Sequence, residues 1–453
     1  MSSLVSRLRL PEAIALSLSV ISPTVTAAFN ITLVVQATGP AAPLTFLIGM
    51  FGMALIAFSF IACTHRVAHA GSAYAYIAHT FGRRAGFIAG WTLLLTYLGF
   101  GTGFAALVGS FCAAALTGLG LDAGHGWILI ALASMLIGWW LVYRDMRLSG
   151  WLMLGLEGVA MVLILVLCGA ILQRVHPGAA VTATTLRPSA DFKGWTGLSY
   201  GMVYSVLCFA GFEGAATLGE ETVHPRRNIP IALFSTVLGS GVFFMFVAYC
   251  EVVGFGLPGI HDLAVSQAPL NDLALRYVSP TLAIALDLAA ATSCFCGVLG
   301  CLAAGGRVLF ALGRAGLSPT LGGIHPRHST PAAAVSATAL LIILPFLAAS
   351  PITGGGDYYS YTSTIGVLAL ILVYTGVGTA EALEAWREGS VLWAMLCASG
   401  PLLLLWVLYR NIYPAPEFPN NLWPYVAVAW MLSAWGLIHA RPAVASTPLP
   451  DYS

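Results

Sequence analysis

Apolar windows of about 20 residues recur twelve times along the chain, each long enough to cross the hydrocarbon core of a bilayer as a helix. Their limits fall near 12–36, 43–63, 85–116, 127–143, 149–172, 196–219, 230–256, 282–311, 331–350, 361–380, 391–410 and 422–439. The third and eighth are the longest and are expected to tilt. The stretch around His261 to Tyr277, between the seventh and eighth, is polar enough for a surface helix.

Two windows carry residues that interrupt a helix. The first contains Ile21-Ser22-Pro23-Thr24-Val25-Thr26, where proline removes a hydrogen bond and clashes with the preceding turn. The sixth contains Gly211-Phe212-Glu213-Gly214, a carboxylate bracketed by glycines at mid-membrane depth. Every backbone group in hydrocarbon needs a partner and an ionisable side chain there is costly, so such a break predicts a site where exposed N–H and C=O groups hold a solute. Equivalent helices five spans apart cross in opposite senses. The pattern therefore predicts two inverted five-helix repeats, 11–173 and 195–381, with two extra helices over 391–439, within one transport domain spanning 1–453.

Composition agrees with the hydropathy pattern. Of 453 residues 58% are hydrophobic and 8% charged, against about 25% charged in soluble domains. The fold class expected is an all-α polytopic membrane protein. A net charge of +1 and the lack of a basic run give no reason to expect nucleic acid. With the N-terminus inside, fourteen of the 19 Arg and Lys residues are cytoplasmic and five (Arg174, Arg187, Lys193, Arg276 and Arg410) are outside, which places both termini in the cytoplasm. Arg7 and Arg9 ahead of an apolar run resemble a signal peptide, but that run continues past Ala28 to Val35 and reads as a span. The nine cysteines all fall within or at the rim of apolar segments, which favours packing over disulfides. Cys294 and Cys296 lack metal-ligand spacing, and no metal site is expected.

Two buried acids stand out. Glu213 is a candidate partner for a substrate ammonium, a proton carrier or a gating group; the alternative is a carboxyl that stabilises the break. Glu157 lies eight residues into the fifth span, roughly 12 Å from its start. Desolvated there, it could cycle a proton or simply join helices. Phe29, Tyr97, Phe212 and Tyr361 are aromatic candidates to cap the site, with Phe212 in the break itself. Asp287 is placed in a vestibule. Ion pairs among Glu220, Glu221, Arg226, Arg227, Arg307 and Arg314 would form an inner gate. Gly197-Leu-Ser199-Tyr-Gly201 matches a hydrolase nucleophile pattern, but lies in a membrane helix without a histidine in reach. No enzyme is expected.

The run from Phe209 through Glu213, Gly219-Glu-Glu-Thr and Pro225-Arg-Arg-Asn-Ile-Pro to Ala232 resembles the sixth-span signature of the amino acid–polyamine–organocation (APC) superfamily of permeases. The resemblance recurs at Ala70-Gly-Ser-Ala-Tyr-Ala-Tyr, at Gly86-Phe and Gly90-Trp91, and from Arg307 to Pro319. It implies a LeuT-like fold with discontinuous first and sixth helices, and alternating access for amino acids or related amines. The substrate would lie between Ser22, Pro23, Thr24, Val25, Thr26 and Ala27 on one side and Phe209, Ala210, Gly211, Phe212 and Glu213 on the other. In many members the first-span break is rich in glycine; here Pro23 offers no N–H, so Thr24 and Thr26 hydroxyls would substitute or the solute would lack a carboxylate. By the same resemblance Glu157 falls where proton-coupled relatives carry a lysine, and Thr292 and Ser293 where sodium-coupled relatives place hydroxyl ligands.

The function these readings imply is import of an amino acid or small organic amine, with no cofactor and with a proton, ahead of sodium, as coupling ion through Glu157 and Glu213. A substrate/product exchanger is the alternative mechanism, and a solute channel or sensor the alternative class. The expected setting is the plasma (inner) membrane, as a multi-pass monomer or homodimer in contact with lipid.

Overall fold

The computed structural model describes residues 8–66, 72–121, 124–144, 146–413, 418–441 and 444. Arg7 and the Ala70-Gly71 end of one motif lie outside the described residues. Helix α1 (Leu10–Ile21) begins with Pro11 in its first turn, and Glu12 accepts a hydrogen bond from the Arg9 N–H at 3.0 Å. It stops at Ser22, whose φ of 50° is left-handed. A short turn Pro23–Val25 and a π-helical stretch Thr26–Asn30 lead into α2 (Ile31–Thr38). Gly39, with φ 58°, then turns the chain into α3 (Ala42–Arg66).

The chain continues through α4 (Ala73–Phe81), α5 (Arg83–Gly118), α6 (Gly126–Arg144) and α7 (Met146–Val175). Helix α8 (Gly194–Phe209) ends at extended Ala210 and left-handed Gly211, after which Phe212–Leu218 is a 3-10 helix. Then come α9 (Pro225–Phe255), the short surface pair α10 (Ile260–Val265) and α11 (Pro269–Tyr277), α12 (Pro280–Leu312), α13 (Ala332–Ala349), α14 (Gly355–Arg387), α15 (Val391–Ile412) and α16 (Trp423–Ala440). The polar stretch expected to lie on the surface is thus two helices broken by Ser266, whose hydroxyl donates to Asp272 at 2.6 Å.

Among the described residues eleven helical stretches are long and apolar enough to cross a membrane. The first, Leu10–Arg66, holds 57 residues, or about 85 Å of helix against a hydrocarbon core of about 30 Å. It contains the first two apolar windows, which meet at the Gly39 turn. Helices α5 and α12 pack along each other at the centre, with α14 on α5, α7 on α12, and α1 wedged among α7, α9 and α12. The apolar windows of α6, α7, α15 and α16 are the least buried, and α6, α15 and α16 present Leu136, Leu402 and Trp435 outward where lipid would cover them. Small residues permit the close central packing: a Cβ at Gly99 would sit 2.6 Å from Thr362 O. All nine cysteines are free thiols.

Candidate functional site

Both interrupted helices break where proline and glycine punctuate them, and the breaks face each other. A Cβ on Gly211 would come within 2.2 Å of Val20 Cγ1, so only glycine allows this approach and its φ of 101°. Ser17 joins the two chains on one side of the breaks: its hydroxyl donates to Phe212 O at 2.5 Å and accepts from Ala215 N at 3.0 Å.

Glu157 reaches the first break from α7. Its Oε1 accepts both the backbone N–H (3.0 Å) and the hydroxyl (2.9 Å) of Thr24, so a protein carboxyl caps the N-terminus of the resumed helix. Its Oε2 is buried without a hydrogen-bond partner among the described residues. Ser293 of α12 faces the same carboxyl and shares a 2.7 Å hydrogen bond with Ser22 Oγ. Ser22, Thr24, Glu157 and Ser293 therefore form one fully buried polar cluster. Thr292 is not part of it. One residue along a helix is a rotation of about 100°, and the Thr292 hydroxyl instead donates to Ala289 O of its own helix at 2.8 Å. Thr26 Oγ1 is buried without a partner among the described residues.

Glu213 is likewise fully buried, and both of its oxygens are engaged. Tyr97 of α5 donates to Oε1 at 2.7 Å, and Tyr374 of α14 donates to Oε2 while accepting the Gly211 N–H at 3.3 Å. The carboxyl thus fastens the sixth-span break to two other helices. Phe212 packs between Phe60 and Tyr374, and Phe209 against Phe244.

Between the breaks lies a cavity of about 10 Å³, lined by Val20, Ile21, Asn30, Phe104, Ala210 and Tyr359 among others. That is room for about one water. Of the residues proposed to surround the solute, Ala210 lines it. Asn30 and Tyr359 exchange hydrogen bonds at 3.2 and 3.3 Å, and Phe29 and Phe104 pack their rings against Tyr359. Sequence reading passed over Asn30, Phe104 and Tyr359; Asn30, an amide within an apolar window, is the signal that would have marked them. Tyr361 lies elsewhere, against Trp423 at the start of α16. A larger cavity of about 430 Å³ opens near the start of α8, lined by Gln36, Asp191, Phe192, Lys193, Tyr200 and Tyr204 among others.

The opposite end is tied shut. Arg307, 1% exposed, donates from Nε and Nη2 to both oxygens of Glu221 at 2.6 and 2.9 Å, and Arg314 pairs with Glu220. Leu8 hydrogen-bonds on both sides of Thr222, through Glu221 O (2.9 Å) and Val223 N (2.7 Å). Asp287, expected in a vestibule, is buried and accepts from Asn271 of α11 at 2.7 Å. Ser199, of the hydrolase-like pattern, donates to Thr196 O of its own helix at 2.7 Å.

Two broken helices facing each other inside an all-helical membrane bundle are the arrangement of the LeuT-type fold. The family model for amino acid permeases matches residues 8–434, and the chain belongs to that family, within the APC superfamily. It is a multi-pass membrane protein, and the curated relatives it matches are transporters. Over 310 residues it is 28% identical to the low-affinity putrescine importer PlaP of Escherichia coli, a match covering 65% of this chain and 66% of that one. The chain thus matches just under two thirds of that relative's length. It is 26% identical over 362 residues to the branched-chain amino acid permease BcaP of Lactococcus lactis (74% and 75% covered). It is also 28% identical over 329 residues to the methylthioribose transporter of Bacillus subtilis (68% and 67% covered). Among solved structures a manganese transporter of Eremococcus coleocola superposes over 98% of each chain with a TM-score of 0.55 at 14% identity, a likeness of fold.

Proposed function

We propose that this permease imports an amino acid or small organic amine by alternating access, coupled to protons. The observation that carries the reading is the polar cluster at the first break. Glu157 spans α7 and the resumed helix there, with one oxygen engaged by Thr24 and the other unpartnered. A carboxyl so placed can carry a proton on its free oxygen, and the change of charge alters how strongly the other oxygen holds the Thr24 donors of the break, which is how proton binding and solute binding become linked.

In this reading the solute lies between Ser22–Ala27 and Phe209–Glu213, with Asn30 and Tyr359 added to its wall. Thr24 N–H is already taken by Glu157, which leaves less of the break for a substrate carboxylate and suits an amine. Twelve spans form two inverted five-helix repeats and two further helices within a single domain. The protein sits in the bacterial inner membrane with both termini cytoplasmic, as a monomer or homodimer. The closed end bearing Arg307 and Glu221 is then the inner one, and the 430 Å³ cavity opens outward.

A thermal-shift screen of amino acids, amines and polyamines on the purified protein identifies the solute class. Uptake of a stabilising solute into proteoliposomes should then be uphill, abolished by a protonophore and independent of sodium. Downhill equilibration only would indicate a channel. Uptake that requires solute on the far side would indicate an exchanger.

A further inference from the structure

Among the described residues seven acidic side chains are buried, and six of them are held by a partner. Glu12 is held by Arg9 N–H, Glu157 by Thr24, Glu213 by two tyrosines, Glu221 by Arg307, Asp287 by Asn271 and Glu381 by Arg66. Glu251 is the exception. It lies one turn from the end of α9 and is 1% exposed, and neither carboxyl oxygen has a hydrogen-bond partner among the described residues. An unpaired carboxylate in such a place is far more costly than a neutral acid.

Its surroundings connect it to the first break. Cys168 of α7 faces Glu251, with Cys250 beside it. Cys168 and Glu157 are eleven residues apart, three helical turns, and so share one face of α7 about 16 Å apart. That face is buried throughout, through Met153, Glu157, Ala160, Ile164, Cys168 and Ile171. Nearby α11 packs against the end of α9: a Cβ on Gly254, one turn beyond Glu251, would lie 2.6 Å from Leu273. Arg276 and Tyr277 of α11 both donate to Gly254 O, at 3.3 and 2.7 Å, and leave the Glu251 carboxyl alone.

We propose that Glu251 is a second proton-binding site, filled in this conformation, that relays protons between the solution beyond α11 and Glu157. When α11 lifts, water enters; Glu251 gives its proton to that water for passage along α7, becomes a carboxylate, and regains a proton from the outer solution. The relay rests on the proton coupling proposed above; the bound proton does not.

Infrared difference spectra of the purified protein at pH 7, wild type minus Glu251→Gln, should show the C=O band of a protonated carboxyl. Its absence overturns the proposal. In proteoliposomes tested with labelled putrescine and leucine, uptake driven by a pH gradient should fall at least tenfold in Glu251→Gln, with solute exchange within about twofold of wild type. Wild-type gradient-driven uptake in the variant overturns the relay. Wild-type uptake indifferent to the gradient removes the coupling itself, and the infrared band still decides whether Glu251 binds a proton. Glu251→Met replaces the Gln variant if the latter does not purify as a single species.

Discussion

Thr24 and Glu157 are joined twice, since the backbone N–H and the side-chain hydroxyl of Thr24 both donate to Glu157 Oε1. One carboxyl oxygen therefore holds the start of the resumed first-span helix. A glutamine keeps one acceptor oxygen but cannot exchange a proton. Glu157→Gln should abolish proton-driven accumulation in proteoliposomes while exchange persists; undiminished accumulation would take Glu157 out of the mechanism. Thr24→Val, which removes only the hydroxyl, should lower thermal stability by about 1 kcal/mol.

Glu213 is expected to matter through its two tyrosines. Tyr97→Phe and Tyr374→Phe each remove one hydrogen bond to a buried carboxyl, at about 1.5–3 kcal/mol. Glu213→Gln should slow turnover or weaken solute affinity. Combined with Tyr97→Phe in a double-mutant cycle, it should give a coupling of about 0.5–3 kcal/mol in unfolding measurements. Strict additivity together with wild-type kinetics would show that the contact does nothing for stability or transport.

The Gly211 backbone leaves no room for a side chain. Gly211→Ala combines a left-handed φ with a 2.2 Å approach to Val20 and should cost about 2–4 kcal/mol and most of the uptake. Gly155→Ala on α7 is the control. Its Cβ would meet nothing within 4 Å, so melting temperature and uptake should match or slightly exceed wild type.

Arg307 and Glu221 form a buried, two-pronged ion pair, and removing one partner strands the other charge. Glu221→Gln should destabilise by about 3–5 kcal/mol, and the double change with Arg307→Met should recover much of that loss. Thermal unfolding of the three variants checks this; a double variant no better than the single would refute the pairing.

At the rim, Arg66 donates to Glu388 and holds that exposed carboxyl below its ordinary range, first through the hydrogen bond and then through charge. A carboxyl lowered in the folded state stabilises above its unfolded pKa of about 4.3, and the effect fades as pH falls through the lower folded value. The melting-temperature gap between wild type and Glu388→Gln should therefore be constant near neutrality, close below about pH 4, and shrink with salt.

What could be read from the chain alone follows from how each feature is written. The breaks are local: Pro23 lacks an N–H, and Gly211 sits in a window otherwise free to be helical, so both positions are visible within six residues. Partnerships are not local. Tyr97 and Tyr374 lie 116 and 161 positions from Glu213, and Asn30 and Tyr359 are 329 apart. Hydropathy marks Tyr97 and Tyr374 as ordinary span residues and leaves Tyr359 just outside its window; of the three only Tyr97 is picked out, as an aromatic cap rather than as a partner of Glu213. Thr292 and Ser293 illustrate a subtler limit, since adjacent hydroxyls on one helix point about 100° apart and only packing decides which faces the cluster.

Ser17 has a mechanical consequence. By bonding Phe212 O and Ala215 N with one hydroxyl, it makes α1 and the 3-10 segment after Gly211 a single lever. A swing that opens the Arg307 side must carry both arms together or give up two buried contacts worth about 1 kcal/mol each. Hinge and lever thus meet at an uncharged residue outside the solute site proposed above.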